Sequence, residues 1–382
     1  MIPLWILVYS CETQKDFNIT LYLPSSSEEN IEEEREDDTE VSASAPESLG
    51  DLIRILNTQG TLTQIEIDQA ESFMKEKIRS PVYCDEVWRV LLSPSGAIIE
   101  EPNMVWSHAS VPDILILESG AHLLVFNDLR PDIFMDTLRN NPSRFWKQGL
   151  IGYGGVGFAI DHFDGNGFIE ITDANLNFQE LQRAVDPDLG KTKDGTIRLS
   201  WFGITADMLG DGFISPMQTE KPHRFYRSLW EKNWEFSKPY IAVSSFEGTT
   251  GGVDPTILTL QDGGEILFVA PLDFYAVGWF SQDGEMWPEN PDVFTEISGA
   301  TADTLLGRDG LYHMYYMKNG FLGVFESIYS TNGFDWTLGP STLYIEEGAH
   351  NLSVDIDPEG QVWLYYNQLN AECIFALDAE ND

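Results

Sequence analysis

Cations are scarce in this sequence: 22 Lys and Arg stand against 62 Asp and Glu, a formal net charge of −40 over 382 residues. Binding a phosphate backbone requires a basic face, so the deficit excludes nucleic acid as a partner. Cysteine is also scarce, at 3 residues. The N-terminal apolar run, Ile2 to Ser10, is too short to span a bilayer. There is no P-loop, no dinucleotide glycine fingerprint and no nucleophile elbow, and His108, His223 and His313 show no zinc spacing. What is abundant points elsewhere. A hydrophobic fraction of 42% excludes wholesale disorder, and 32 Gly, 19 Pro, 11 Trp, 14 Tyr and 22 Phe lean toward a turn-rich β protein with aromatic anchors.

Four segments follow one another along the chain. In residues 1–11, Leu7-Val8-Tyr9-Ser10-Cys11 resembles the bacterial lipoprotein box. That resemblance implies signal cleavage, lipidation of Cys11 and an extracytoplasmic, membrane-anchored protein. The alternative is a buried N-terminal strand with an ordinary cysteine. Residues 12–48 are an acidic linker in which Glu28, Glu29, Glu32, Glu33, Glu34, Glu36, Asp37, Asp38 and Glu40 nearly touch in sequence. Like charges at this density leave nothing to bury and predict a disordered tether. Residues 49–80 are the helical segment: Leu49, Leu52, Ile53 and Leu56 recur at helix spacing, and Thr63-Gln64-Ile65-Glu66 is a capping box that opens a second helix toward Ile78. Residues 81–382 remain as the main domain.

Two elements alternate through that domain. The first is an apolar strand, begun at a Pro or Asp, that runs into a glycine turn and returns as a second strand. Its five copies contain Val111-Pro112-Asp113 before Gly120, Asp186-Pro187-Asp188 before Gly195, Asp254-Pro255-Thr256 before Gly263, Ala302-Asp303 before Gly310 and Leu352-Ser353 before Gly360. The second element is a tight turn with an aromatic three residues after its glycine. It occurs as Ser281 to Trp287 and Ser330 to Trp336, with looser copies at Asp164 to Phe168 and Ser228 to Trp234. A fifth copy, Ser93-Pro94-Ser95-Gly96, precedes the first hairpin instead of following the last. This offset predicts a closed ring in which residues near 85–100 complete the blade begun by residues 352–378. Cys84 and Cys373 would then share a blade. If Cys11 carries the lipid, they form the remaining pair, a disulfide worth up to about 4 to 5 kcal/mol in the chain-entropy model; two buried free thiols are the alternative.

With these residues in place the domain resembles the five-bladed β-propeller glycosidases of the arabinanase, β-xylosidase and invertase type, and its Ser-x-Asp-Gly-x-x-Trp turns resemble the Asp-box turns of sialidases. The resemblance implies an all-β propeller, expected as a monomer, that binds carbohydrate in an acidic central pocket and cleaves it by inversion. It assigns Asp113 as the general base, Asp188 or Asp186 as the residue tuning pKa, and Asp254 or the nearby Glu247 as the acid. Asp186, Asp303 and His108 are further candidates for substrate contact. Inverting chemistry needs its two carboxyl groups about 6.5 to 9.5 Å apart. Two other readings stand beside this one. The Asp residues can simply bond backbone amides at the strand starts, and the whole can be a non-catalytic glycan- or protein-binding propeller. No cofactor is expected. The spacing His162-x-Asp164-x-Asn166-Gly167-x-Ile169 with Asp173, echoed at Asp207 to Ile214, follows a calcium loop, although His is a poor calcium ligand and Asp164 to Phe168 already serves as a blade turn.

Overall fold

The computed structural model describes residues 55, 62–77, 84–93, 96–130, 156–172, 182–205, 224–243, 252–271, 275–318, 323–345 and 348–370. The lipoprotein box, the acidic linker, most of the first helical stretch, Glu247 and Cys373 lie outside them. The second helix is present as α1, Gln64–Lys77. Its capping box is formed: the Thr63 amide donates to Glu66 Oε2 at 2.6 Å and the Glu66 amide to Thr63 Oγ1 at 3.4 Å. No described helix is long and apolar enough to cross a membrane.

The rest is strand. β1 (Asp85–Leu92) and β2 (Asn103–Ser107) come first in the chain. The first full blade holds β3 (Ala109–Ile116), β4 (His122–Asp128), β5 (Val156–Asp161) and β6 (Ile169–Glu170). The second holds β7 (Gln182–Lys191), β8 (Ile197–Thr205), β9 (Arg224–Lys232), β10 (Glu235–Phe236) and β11 (Tyr240–Val243). The third runs through β12 (Gly252–Thr259), β13 (Glu265–Pro271) and β14 (Tyr275–Ser281) into β15 (Val293–Leu306), whose second half opens the fourth blade. β16 (Tyr312–Lys318), β17 (Val324–Ser330) and β18 (Trp336–Tyr344) complete that blade. β19 (His350–Ile356) and β20 (Val362–Leu369) begin the fifth.

The sheet order β19-β20-β1-β2 shows how the ring closes. β1 pairs with β20 over its whole length, from Asp85 opposite Leu369 to Leu92 opposite Val362. The inner strands β3, β7, β12, β15 and β19 then contact one another in cyclic order, each touching the next and β19 touching β3. The protein is a five-bladed β-propeller, as the offset of the N-terminal turn predicts.

Each inner hairpin is closed by the same turn. In the first, the Leu117 amide donates to the Ala121 carbonyl and the Gly120 amide to the Leu117 carbonyl, both at 2.9 Å. The pattern repeats at Thr192 to Thr196, Leu260 to Gly264, Gly307 to Leu311 and Asp357 to Gln361. The turn glycines have φ between 78° and 99°, a left-handed conformation that costs a side-chain-bearing residue more than glycine.

The blades are joined by apolar layers. Leu115, Val125 and Phe158 of the first blade pack with Leu199, Trp201 and Tyr226 of the second. Two outer-turn aromatics, Trp336 and Phe168, pack against a ring of the preceding blade. Trp336 meets Phe268 edge-on with centroids 5.8 Å apart, and Phe168 meets Tyr365 of the fifth blade at 6.1 Å. The Asx geometry that holds such a turn is explicit at Asp283, whose Oδ1 accepts from the Glu285 and Met286 amides at 2.9 Å each.

A buried ion network adds to the second-to-third layer. Arg198, with no exposed side-chain surface, reaches Glu265 at 3.2 Å and Asp188 at 3.4 Å. Arg227 bonds the other oxygen of Glu265 and donates to the Gly284 carbonyl at 2.7 Å. Two carboxylates, Glu265 and Asp188, thus face two guanidinium groups away from water, with Glu265 shared between both. Substituting Glu265→Gln should remove the carboxylate that Arg227 pairs with, leave Arg198 with Asp188 alone, and lower stability by about 3 to 5 kcal/mol in equilibrium denaturation; a loss under about 1 kcal/mol would show that the network is solvated.

Ring closure is expected to have a covalent component. Cys84 is disulfide-bonded, and its carbonyl accepts from the Asn370 amide at 2.9 Å, three residues before Cys373 in sequence. A Cys84–Cys373 linked peptide is expected in a non-reducing digest, and reduction should lower the denaturation midpoint. Recovery of both residues as free thiols would refute the staple.

Candidate functional site

The inner strands build the shaft in two levels. At the upper level four of the five inner strands bend through a register shift next to a residue in left-handed conformation: Val111 (φ 48°), Asp186 (φ 50°), Asp254 (φ 51°) and Asn351 (φ 44°). Asp and Asn tolerate that conformation and a β-branched residue resists it, so Val111 carries the most strain of the four. In the first three strands the next residue is proline. Bulges re-aim side chains, and here they stand at the mouth of the shaft.

Two residues further on lies a buried belt: Asp113, Asp188, Thr256, Asp303 and Ser353, each seven residues before its turn glycine. The belt links neighbouring blades through side-chain oxygens. Asp113 Oδ2 accepts from the Leu189 amide, Asp188 Oδ1 from Ile257 at 3.0 Å, Asp303 Oδ2 from Val354 at 2.7 Å and Ser353 Oγ from Ile114 at 3.0 Å. Between the third and fourth blades the link is made by side chains, Thr256 Oγ1 donating to Asp303 Oδ1 at 2.8 Å. One step lower, Asp355 Oδ2 accepts from the Ile116 amide at 2.5 Å.

A cavity of about 20 Å³ opens between the two levels, lined by Asp113, Asp186, Asp188, Asp254, Asp303 and Asn351 among others. It has room for roughly one water or one hydroxyl group. Burial and neighbouring carboxylates push its acids toward the neutral form. Asp113 is raised well above the usual carboxylate range by burial and then by the charges of Asp303 and Asp188. Burial also lifts Asp188 to about 7 against the pull of Arg198, and Asp355 to about 7. At the mouth, Asp254 is raised well above its ordinary value by burial and then by the charge of Asp186, with His350 opposing. No hydrogen bond reaches Asp254 from a described residue.

The structure therefore divides the sequence-derived candidates. Asp113, Asp188 and Asp303 belong to the belt. Both Asp113 oxygens are engaged, Oδ2 by Leu189 and Oδ1 by Ser353, so work as a base would require breaking the links that hold the first blade to the second and fifth. Asp186 and Asp254 stand together at the mouth. His108 lies between β2 and β3 with φ 54°; its carbonyl accepts from the Leu129 amide at 2.8 Å, and it is not among the residues lining the cavity. Glu247 lies outside the described residues. Trp201, Trp279 and Tyr366 are wholly buried and offer no face to a sugar.

Sequence reasoning missed a pair on the fifth blade. His350 Nδ1 lies 2.8 Å from the Gly348 carbonyl and its Nε2 3.4 Å from Asp85 Oδ2. Burial disfavours the imidazolium, but Asp85 and the Gly348 carbonyl outweigh it and raise the pKa of His350. Asp85 begins β1 and His350 begins β19, so only ring closure brings them together, and no local motif could have shown it.

Among the described residues no group of three or more His, Cys, Asp or Glu side chains is placed to hold a metal ion. In the calcium-like stretch Asp164 Oδ1 accepts from the Asn166 amide at 3.1 Å and Asp161 Oδ1 from Phe163 at 2.7 Å, the bonds of a turn. The echo, Asp207 to Ile214, lies outside the described residues.

No known protein family and no curated protein matches the sequence. Solved structures with similar folds include the Hadza microbial sialidase Hz136, at 14% identity and a TM-score of 0.46, covering 71% of this chain and 58% of that one. A thermostable family-43 glycoside hydrolase matches at 12% identity and a TM-score of 0.46, over 68% of this chain and 88% of that one. A Trypanosoma rangeli sialidase matches at 9% identity and a TM-score of 0.41, over 76% of this chain and 59% of its own. The chain thus spans well under two thirds of the length of both sialidases.

Proposed function

We propose that the protein is a carbohydrate-binding propeller that receives a sugar end-on at the mouth of its shaft. The observation that carries this reading is the contrast between the two levels. The belt carboxyls are bonded to the protein itself, whereas Asp254 has no hydrogen bond from a described residue and shares the mouth with Asp186 and Asn351. A neutral Asp254 offers one donor, a charged Asp186 offers acceptors, and an Asn amide offers both, a set that matches adjacent hydroxyl groups. A cavity of about 20 Å³ admits one hydroxyl and not a ring, so the ring rests above it.

The same pair sets an acid whose pKa is raised, Asp254, beside a second carboxyl group, Asp186, the two groups that acid–base chemistry needs. The small cavity and the committed belt favour the second reading, a display propeller that binds without cleaving. In either case the N-terminal segment, if lipidated at Cys11, would tether the site outside the cytoplasm.

Titration of the purified protein with a panel of neutral oligosaccharides, with product analysis of each mixture, tests both readings. Binding is expected, weakened about tenfold or more in Asp254→Ala and in Asp186→Ala through loss of the mouth's hydrogen bonds. Product formation that ceases in Asp254→Asn would establish hydrolysis. Sugar affinity unchanged in both alanine variants would remove the mouth as the site.

A further inference from the structure

Ser353 sets a proton count for the belt. Its Oγ accepts from the Ile114 amide at 3.0 Å and lies 2.5 Å from Asp113 Oδ1 and 2.8 Å from Asp303 Oδ2. A hydroxyl has one proton and two lone pairs. With one lone pair taken by Ile114, Ser353 can donate to one carboxyl group only, and the other must donate to it. Two ionised carboxylates against one hydroxyl would leave an oxygen–oxygen contact with no hydrogen between, buried and away from water.

The surrounding bonds decide which acid holds the extra proton. Asp303 is fully committed as an acceptor. Its Oδ2 takes the Val354 amide at 2.7 Å, and its Oδ1 takes the Thr304 amide at 2.7 Å and the Thr256 hydroxyl at 2.8 Å. Asp113 accepts the Leu189 amide on Oδ2, while Ser353 is the one partner of its Oδ1 among the described residues. We infer that Asp113 is a carboxylic acid that donates its Oδ1 proton to Ser353, which donates in turn to an ionised Asp303, so that closure of the ring at the first and fifth blades retains a proton.

The charged groups facing this bridge are consistent with that count. Asp188 approaches from β7 with Arg198 and Glu265 behind it, Asp355 lies below on β19 with Lys191 on β7, and Asp186, Asp254 and His350 lie above. Among these groups the acids outnumber the bases, five to three, so an added negative charge on Asp113 is disfavoured on balance. Burial and the charges of Asp303 and Asp188 raise its pKa accordingly.

The sign of the pH effect follows. An acid whose folded pKa lies above its unfolded value, about 3.9, contributes its full stability below the unfolded pKa and loses it as pH rises through the folded one. The Asp113 contribution should therefore fall as pH rises from about 4 toward neutrality, against the opposite contribution of carboxylates whose pKa is lowered, such as Asp283 and Glu326. In Asp113→Asn an amide N–H replaces the O–H toward Ser353 and the amide oxygen still accepts from Leu189. This variant is expected to fold and to lack that contribution, its pH dependence differing from that of the wild type by up to about tenfold in the unfolding constant per pH unit, one proton's worth. Asp303→Asn must aim an NH2 group at a backbone N–H and is expected to lose stability at every pH. An infrared carboxylic-acid carbonyl band at neutral pH, present in the wild type and reduced in Asp113→Asn, would report the proton directly. Failure of Asp113→Asn to fold, a pH slope equal to that of the wild type, equal damage from the two substitutions, or no such band at neutral pH would each overturn the assignment. The test needs no ligand, so its outcome is separate from that of the sugar titration.

Discussion

The inner strand of a propeller blade is a sheet edge, and five such edges converge on one axis. Each presents backbone N–H groups that have no strand to pair with and no bulk water to fall back on. The belt answers this requirement. At one level of the shaft a short oxygen-bearing side chain reaches the N–H of the residue after its counterpart in the next blade. Four of the five links take that form, from Asp113, Asp188, Asp303 and Ser353. At the fifth, Thr304 turns its amide to its own neighbour Asp303, and Thr256 makes the link through its hydroxyl. A long side chain at these positions would overfill the shaft, and an apolar one would orphan an amide at a cost of about 1 to 3 kcal/mol. The residue types are fixed by geometry before function enters.

The same constraint concentrates charge. Three aspartates around one small cavity, with Asp186 and Asp254 above and Asp355 below, form a column of acids that cannot all ionise in a medium poorer than water at stabilising charge. Relief comes in three ways at different heights. Backbone amides serve the belt, Arg198 reaches in from the second blade, and protonation serves the rest. Arg198 also ties the belt outward through Glu265 and Arg227 to the turn at Gly284, so a continuous chain of bonds joins the shaft to the rim of the third blade. Chemistry directed at a ligand is therefore left to the mouth.

The architecture was legible because it is written in local signals at a fixed spacing. Asp-Gly and related turns impose positive φ, the wedge aromatics follow at a fixed interval, and the displaced copy at Ser93 to Gly96 foretold the pairing of β1 with β20. The site was legible only in part. Asp186 and Asp188 look equivalent in sequence, yet one stands at the mouth in left-handed conformation and the other is buried in the belt. Counting seven residues back from the turn glycine separates them, because it aligns Asp188 with Asp113, Thr256, Asp303 and Ser353 and leaves Asp186 with Val111, Asp254 and Asn351. The resemblance to glycosidases drew the eye to aspartate as a residue type, while register decides which aspartates are free to act. Asp85 and His350 were beyond reach of any local reading, since only closure of the ring makes them neighbours.

The balance of charge at the mouth also bears on what can enter it. A field summed from −40 formal charges attracts cations and repels anions at long range, which weighs against sugar acids however well their hydroxyls would fit. At short range the picture differs, because an acid beside its charged neighbour presents a donor and an acceptor side by side, with His350 and Asp85 near enough to offset part of the local charge. A neutral polyol exchanges hydrogen bonds with such a pair without desolvating an ion. A metal cation would have to displace the proton of Asp254 and bind in a space with room for about one water, with no third carboxylate or imidazole placed to complete its shell among the described residues. The long-range field thus weighs against one class of ligand and the local proton against another, and both are consistent with the neutral sugar proposed for the mouth.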